Sequence, residues 1–317
     1  MNHLESGYTG KNSFWRYIVM LFAVFIIANL VGSIPIYILF IIKSAGNPET
    51  YARITSNPTD FGAMGFDPII GLILLVIPFI FCLFAFIVLV RPLHKRTFMQ
   101  TINGTNTIRW NRFFISGAIW FVLCLIYLLI SKKLDPSNFQ LNNTSLTLVY
   151  LIVAVIIMIP FQASFEEVIF RGYLMQGFAV LSNNRWFPLL LTSILFATMH
   201  SVNPEVKAYG FFTMMPQYFF IALTFGIASL FDDGIETAMG AHVANNIFIS
   251  IFTAYNSSAL QTPALYVQKT LYPWTDFAAT VISAVIFIAV LAIIFRWKNV
   301  AILWSKVQKE PETIQTL

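Results

Sequence analysis

The sequence predicts an all-α membrane protein with about eight transmembrane helices, and two observations favour that fold class. Hydrophobic residues make up 58% of the 317 residues and charged residues only 10%, whereas soluble globular chains carry about 25% charged residues. Apolar segments of the roughly 20 residues that a helix needs to cross a bilayer recur along the chain. A segment in lipid must satisfy its own backbone hydrogen bonds, so each of them is expected to be helical.

Polar breaks divide the chain into eight predicted spans. These are 16–43, 68–90, 113–131, 146–165, one beginning near Trp186, 208–231, 237–255 and 277–295. The fifth span is short, because fewer than the roughly 20 residues of a full span separate Trp186 from the polar stretch 201–207. Either this helix does not cross the membrane, or the stretch after His200 lines a water-filled cavity.

The Lys and Arg residues predict the orientation of these spans. Of the 19, 13 lie on the side of the two termini and 6 on the other side, so both termini are expected in the cytoplasm. The net charge of +5 is therefore assigned to loops, and no nucleic-acid partner is expected. The basic segment 91–112 follows the second span and is either an amphipathic stretch on the inner leaflet or an ordinary cytoplasmic loop.

Ionisable residues inside apolar segments indicate function, because they are costly in a membrane. Glu166, Glu167, His200 and His242 interrupt apolar sequence, whereas the other two histidines lie in polar stretches. Two acids and two histidines are therefore the candidates for a functional site.

Helical spacing gives the two acids different roles. Glu167 and Arg171 are four residues apart, so they share a helix face and can form an ion pair. Glu166 is rotated by about 100° and has no such partner, which leaves its carboxylate available as a general base. The alternative is that the acid pair simply marks the end of the fourth span at the water interface.

A predicted hairpin brings the acids to the depth of a histidine. The polar segment 182–188 should reverse the chain, and Glu167 and His200 lie equally far from its centre at 183.5. Two antiparallel helices would then place His200 opposite the acid pair.

Two further four-residue spacings extend the predicted site. Phe196 shares a helix face with His200, and His242 shares one with Asn246. The aromatic residue could equally belong to an ordinary core, and the His and Asn could form a purely structural pair. Asn245 points elsewhere on its helix and ranks below Asn246.

Three motifs at these positions resemble those of a known family. Glu166-Glu-Val-Ile-Phe-Arg171, Phe196-Ala-Thr-Met-His200 and His242-Val-Ala-Asn-Asn246 resemble the Glu-Glu-x-x-x-Arg, Phe-x-x-x-His and His-x-x-x-Asn motifs of the CAAX-processing and bacteriocin-processing (CPBP, or Abi) intramembrane proteases. The resemblance divides the chain into N-terminal helices with a basic loop (1–140), a catalytic core (141–256), and a last helix with a cytoplasmic tail (257–317).

The resemblance implies an eight-helix fold that cleaves a peptide bond of a membrane-associated or lipidated peptide. Glu166 and His200 would activate the attacking water, and His242 and Asn246 would stabilise the oxyanion. Arg171 would hold Glu167, with Phe196 as a supporting residue. The expected setting is a bacterial inner membrane, with lipid and a peptide or protein substrate as partners.

A metal-free reaction is the favoured expectation, and no cofactor is predicted. Zinc is the alternative, with Glu166, His200 and His242 as three ligands and an open fourth position. Two other functions compete with proteolysis. One is a non-catalytic membrane protein for partner binding or bacteriocin self-immunity. The other is a proton-coupled transporter, although the repeated halves expected of many transporters are not evident.

Overall fold

A computed structural model describes residues 2–56, 61, 65–142, 144–255, 257–298 and 300–309. The chain is mostly helical, which confirms the predicted fold class. The α-helices are α1 (Phe14–Ile27), α2 (Ile34–Ser44), α3 (Pro48–Ser56), α4 (Pro68–His94), α5 (Phe98–Ile102), α6 (Trp110–Leu134), α7 (Leu146–Glu167), α8 (Met175–Ser182), α9 (Trp186–Met199), α10 (Pro204–Tyr209), α11 (Phe211–Asp232), α12 (Glu236–Phe252) and α13 (Pro273–Phe295).

The helical segments differ in their capacity to cross a bilayer. In the described part of the chain, six are long and apolar enough: Phe14–Ser44, Pro68–His94, Trp110–Leu134, Leu146–Ser182, Phe211–Asp232 and Pro273–Phe295. The protein is therefore an integral membrane protein. The predicted fifth and seventh spans are also helices, but α9 has only 14 residues and α12 has 17.

The short α9 answers the question that the sequence left about the fifth span. A helix of this length rises about 21 Å, which is less than the hydrocarbon core of about 30 Å. The helix ends at His200, and the chain continues into the short helix α10 before α11 begins. His200 therefore lies at an interruption of helical structure between two apolar helices.

Two membrane helices contain a π-helical segment. Ala28–Gly32 connects α1 to α2, and Val168–Leu174 connects α7 to α8. The helix predicted to end at residue 165 thus continues to Ser182, because the sequence after Glu167 stays helical through this wider turn. The predicted reversal at 182–188 is confirmed, since Asn183 adopts a left-handed conformation with φ 54° at the end of α8. Such π segments are frequent at functional sites.

Helix α12 packs closely against α6 at two glycines. A Cβ added to Gly240 would lie 2.0 Å from the Phe113 carbonyl oxygen, and one added to Gly117 would lie 2.9 Å from that of Gly240. Only residues without side chains allow two backbones to approach so closely, as is typical of helix pairs in membranes. The same helix α12 also contacts α7 and α11, so its polar residues face several neighbours.

The two ends of the helix bundle are covered by different structures. At one end, β1 (Phe139–Leu141), β2 (Thr253–Ala254) and β3 (Tyr266–Gln268) form a small sheet in the order β1-β3-β2. At the other end, the 3₁₀ helix Glu5–Tyr8 and the segment 300–309 pack together, with Tyr8 donating to the Val307 carbonyl at 3.2 Å. Both described ends of the chain therefore lie on the same side, as an even number of membrane passages requires.

The basic segment 91–112 is held by the protein itself. Arg109 pairs with Glu236 at 2.6 Å, Arg112 pairs with Asp232 at 3.1 Å, and Arg96 is buried. The acidic turn between α11 and α12 supplies the partners. They lie more than 100 residues away along the chain, so local sequence patterns do not predict these ion pairs. Arg91 and Lys95 of the same segment are exposed, and its placement in a cytoplasmic loop stays a prediction.

Candidate functional site

The acid pair lies where α7 passes into its π-helical continuation. Glu167 and Arg171 are both fully buried, and the predicted ion pair joins Glu167 Oε1 to Arg171 Nη1 at 2.9 Å. Arg171 also donates from Nη2 to the Ala222 carbonyl of α11 at 3.0 Å. The guanidinium thus fastens the end of α7 to α11 while it neutralises one carboxylate.

Glu167 has a second partner that the helical spacing did not reveal. His242 Nδ1 donates to Glu167 Oε1 at 2.7 Å, so this carboxylate links α7 to α12. A carboxylate on one ring nitrogen fixes the orientation of an imidazole and directs the other nitrogen elsewhere. The His242 Nε2 lies 3.7 Å from Glu166 Oε2, so both acids are neighbours of this one ring.

Glu166 is partly buried and has few hydrogen-bond partners. Its side chain is 12% exposed, and its Oε1 accepts a hydrogen bond from Gln162 one turn earlier. Its Oε2 is buried and has no hydrogen-bond partner among the described residues. Because the helix continues beyond Glu166 to Ser182, Glu166 does not mark the end of a membrane helix.

Asn246 lies beside the same glutamine. Its amide nitrogen donates to Gln162 Oε1 at 2.9 Å, and its oxygen accepts from Asn245 Nδ2 at 3.0 Å. Gln162 therefore bridges Glu166 on α7 and Asn246 on α12. The predicted residues Glu166, His242 and Asn246 belong to one connected polar cluster.

His200 is held by a different kind of contact. Its Nδ1 donates to the Phe196 carbonyl at 2.9 Å, which leaves the lone pair on Nε2. Its ring packs against Phe196 and stacks on Tyr218 of α11, with centroid distances of 4.6 Å to each. The imidazole is thus oriented by aromatic neighbours rather than by a carboxylate.

Phe196 joins the two parts of the site. Its ring lies 4.5 Å from the Arg171 guanidinium carbon and 5.8 Å from the His242 ring, measured to the centroid. The predicted neighbour of His200 therefore contacts both His200 and members of the polar cluster. The approach of His200 to the acid pair, predicted from the equal spacing about residue 183.5, stays a prediction.

The same geometry bears on the zinc alternative. Among the residues that the structure describes, no group of three or more His, Cys, Asp and Glu side chains could hold a metal ion. His242 Nδ1 donates to Glu167, which leaves Nε2 at 3.7 Å from Glu166 Oε2. Metal-ligating histidines commonly make the same contact to a carboxylate. Zinc held by Glu166, His200 and His242 therefore stays the alternative, and we derive no step through a metal.

Three residues of the site are not predicted from the sequence. Gln162 could have been found by the same four-residue spacing that paired Glu167 with Arg171, because it precedes Glu166 by one turn. Asn245 was ranked below its neighbour, yet it supports Asn246. Tyr218 had no signal in the sequence, because a tyrosine in an apolar helix is an ordinary core residue and only the fold places it on His200.

The N-terminal segment packs behind the arginine of the site. His3 is buried and donates from Nε2 to the Arg171 carbonyl at 3.0 Å, while Gln176 approaches its Nδ1 at 3.3 Å. No role is predicted for His3 from the sequence, since it lies in a polar stretch. Burial lowers the pKa of this histidine, and Asp233 and Glu236 oppose that effect in part.

Comparison with known proteins finds a family that is similar to the segment carrying this site. Residues 144–248 match the family model for the type II CAAX prenyl endopeptidase Rce1-like proteins, and every predicted site residue lies in that range. This segment is similar to that family, which is named for an endopeptidase activity. The match lies within the predicted core 141–256, and the three-part division of the chain stays a prediction.

One curated relative extends the likeness beyond the Rce1-like segment. The Bacillus subtilis (strain 168) protein YyaK, which is described as uncharacterized, is 28% identical over 268 residues, covering 84% of this chain and 87% of the relative. The similarity therefore includes much of the N-terminal region as well as the Rce1-like segment. No solved structure matches this chain.

Proposed function

We propose that this protein is an intramembrane endopeptidase that hydrolyses a peptide bond of a membrane-associated or lipidated peptide. The observation that carries the proposal is the position of Glu166 beside His242. Glu166 Oε2 lies 3.7 Å from His242 Nε2 and has no hydrogen-bond partner among the described residues. A carboxylate oxygen in this position can accept a proton from an attacking water.

Water activation is assigned to Glu166 and His200. Glu166 Oε2 would accept a proton as the water attacks the scissile carbonyl, and would return it to the leaving amine. His200 has the tautomer that this role needs, because its Nδ1 hydrogen is bound to the Phe196 carbonyl and its Nε2 keeps a lone pair. His200 would then orient the same water through this lone pair.

Oxyanion stabilisation is assigned to His242 and Asn246. The Asn246 amide nitrogen carries two hydrogens, and one of them is used by Gln162. With Nδ1 donating to Glu167, His242 would donate to the oxyanion from Nε2 in its doubly protonated form, and both carboxylates lie beside the ring. Donors fixed before the reaction stabilise the developing charge without reorganisation.

Replacement of the proposed base tests the assignment. We expect Glu166→Gln to lower kcat by about 10²- to 10⁴-fold, the usual contribution of a general base, with the protein still folded. The assay uses purified protein in proteoliposomes and a quenched fluorescent peptide that carries a prenylated CAAX terminus, beside the same peptide without the prenyl group. Glu49→Gln, an exposed carboxylate in α3, is the matched control.

The outcomes of this assay separate the candidate functions. Cleavage lost in Glu166→Gln and kept in Glu49→Gln supports a protease, and preference for the prenylated peptide defines the substrate class. A biological phenotype that persists in Glu166→Gln would indicate a binding or self-immunity protein instead. Peptides that accumulate in membranes of cells carrying the inactive variant would identify natural substrates.

Metal dependence has its own test. We propose a metal-free reaction, so purified protein should contain no stoichiometric zinc and should keep its activity after dialysis against a chelator. Zinc bound in stoichiometric amount by the wild type and lost in His200→Ala would overturn the metal-free reaction. We also propose that both termini face the cytoplasm of a bacterial inner membrane, which the excess of Lys and Arg on their side supports.

A further inference from the structure

A continuous chain of hydrogen bonds runs from α6 through the polar cluster to Glu166. Trp120 Nε1 donates to Asn245 Oδ1 at 3.1 Å, and Asn245 Nδ2 donates to Asn246 Oδ1 at 3.0 Å. Asn246 Nδ2 donates to Gln162 Oε1 at 2.9 Å, and Gln162 Nε2 donates to Glu166 Oε1. Four consecutive bonds thus connect an indole on α6 to the carboxylate proposed as the general base.

The chemistry of the two ends fixes the direction of every bond between them. An indole N–H can only donate, and an ionised carboxylate can only accept. With a donor at Trp120, Asn245 must present its oxygen to α6 and its NH₂ to Asn246. The same requirement passes through Asn246 and Gln162, and reversing any one amide would set two donors or two acceptors against each other.

The orientation that results is the one the proposed oxyanion role requires. Asn246 could otherwise turn its amide by 180° and present an oxygen to the developing negative charge, which would repel it. Because Asn245 donates to the Asn246 oxygen, that oxygen is occupied and the NH₂ faces Gln162. We propose that Trp120, acting through Asn245, is a positioning residue that keeps the Asn246 amide in its catalytic orientation. This proposal rests on the proposed function.

Trp120 is well placed for such a role because its ring is fixed. It is 3% exposed, and it makes edge contacts with Phe225 and Phe287 at centroid distances of 5.1 Å and 5.0 Å. The close approach of Gly117 and Gly240 sets α6 against α12 one turn earlier. Trp120 lies outside the Rce1-like segment 144–248, so the chain's N-terminal region contributes to the orientation of the site.

The test removes the indole N–H and keeps the aromatic ring. In the peptide cleavage assay, Trp120→Phe should lower kcat by about tenfold, since small misplacements remote from the reaction can cost as much as 10²-fold, while KM stays within twofold. Asn246→Ala should lower kcat by about 10²-fold or more, as expected for one oxyanion donor. Trp297→Phe is the matched control, because Trp297 donates to Asp232 at 2.9 Å outside this network and its loss should leave kcat unchanged.

A double variant distinguishes positioning from general damage to the fold. If Trp120 acts through Asn246, Trp120→Phe combined with Asn246→Ala should be no slower than Asn246→Ala alone. The proposal would be overturned if the decreases in kcat of the two single variants multiplied in the double variant, or if Trp120→Phe kept the wild-type kcat. Melting temperatures of Trp120→Phe and Trp297→Phe in detergent should agree within the scatter of repeated measurements, and a lower value for Trp120→Phe alone would assign its effect to stability.

A spectroscopic arm separates this proposal from the proposed function. In protein labelled with ¹⁵N-tryptophan, the indole signal that is absent from Trp120→Phe belongs to Trp120. That signal should move upfield in Asn245→Ala and keep its position in Trp297→Phe, whether or not any peptide is cleaved. An unmoved signal in Asn245→Ala would contradict the hydrogen bond itself, whereas inactive wild type with a normal shift would contradict only the proposed function.

Discussion

The two halves of the candidate site are built in contrasting ways. Between α7 and α12, Glu167 holds both Arg171 and His242 through hydrogen bonds of 2.9 Å and 2.7 Å. At the end of α9, His200 has one backbone hydrogen bond and two aromatic neighbours. A buried polar network is sensitive to the loss of any member, whereas stacked rings tolerate gradual change. The contrast predicts large effects in the first half and smaller ones in the second.

Loss of the buried cation should have the largest effect. Arg171→Met leaves Glu167 charged and only partly paired in the interior, and breaking a buried ion pair by removing one partner costs about 3–5 kcal/mol. The protein should therefore show a much lower unfolding temperature in detergent. The decrease in its unfolding temperature should exceed that of any variant at the His200 end of the site.

An exposed pair with the same spacing provides the control. Arg53 and Glu49 are also four residues apart at 2.5 Å, but their side chains are 54% and 76% exposed. Arg53→Met should cost no more than about 0.5 kcal/mol, because exposed ion pairs of this kind are screened by water. Equal losses of stability in the two variants would contradict the importance assigned to burial.

The stack on His200 should have an intermediate effect. Tyr218→Leu removes the ring but keeps an apolar side chain, and a loss of 0.5–1.5 kcal/mol of aromatic contact corresponds to a fall in kcat of roughly tenfold at most. Tyr218→Phe keeps the ring and removes the hydroxyl that donates to Glu205. It should keep most of the activity while lowering the unfolding temperature.

These two variants at Tyr218 are compared by steady-state cleavage and thermal unfolding. We expect kcat to depend on the ring and the unfolding temperature to depend on the hydroxyl. If Phe and Leu lowered kcat by the same factor, the stacking account of His200 would be wrong.

Acid pH should have the smallest effect, and it acts on His3, which packs against Arg171 of the polar network. His3 donates to the Arg171 carbonyl, and burial lowers its pKa, so the docked ring is neutral. An undocked His3 binds a proton more readily, with a pKa of about 6.5. Docking of the N-terminal segment is therefore fully favoured above that pH and weakens as the pH falls toward the lowered pKa.

Hydrogen exchange of the N-terminal amides measures this docking. After correction for the intrinsic pH dependence of exchange, protection of residues 2–8 should decrease as the pH falls below about 6.5. Asp233, Glu236 and Arg109 also surround His3, so His3→Gln is the control that removes only the titrating ring. The same decrease in His3→Gln would assign the effect to those other groups.

Local spacing explains which parts of the site the sequence could predict. Glu167 and Arg171 lie on one helix, so their pairing follows from a turn of 3.6 residues. The hairpin depth of His200 follows from counting residues on both sides of a polar turn. His242 on Glu167 could not be found this way, because it depends on how α12 is placed against α7, 75 residues away along the chain.

The sequence by itself determined the membrane class, the helical fold and several candidate residues of the site, because composition and helical periodicity are local properties of the chain. Only the tertiary structure decided that Glu167 orients His242, that Tyr218 stacks on His200, and that Trp120 reaches Asn245. Those contacts depend on the rotation and distance of packed helices. The distance between α6 and α12 is set by the close contact of Gly117 and Gly240, which involves backbone atoms and cannot be read from a pattern of side chains.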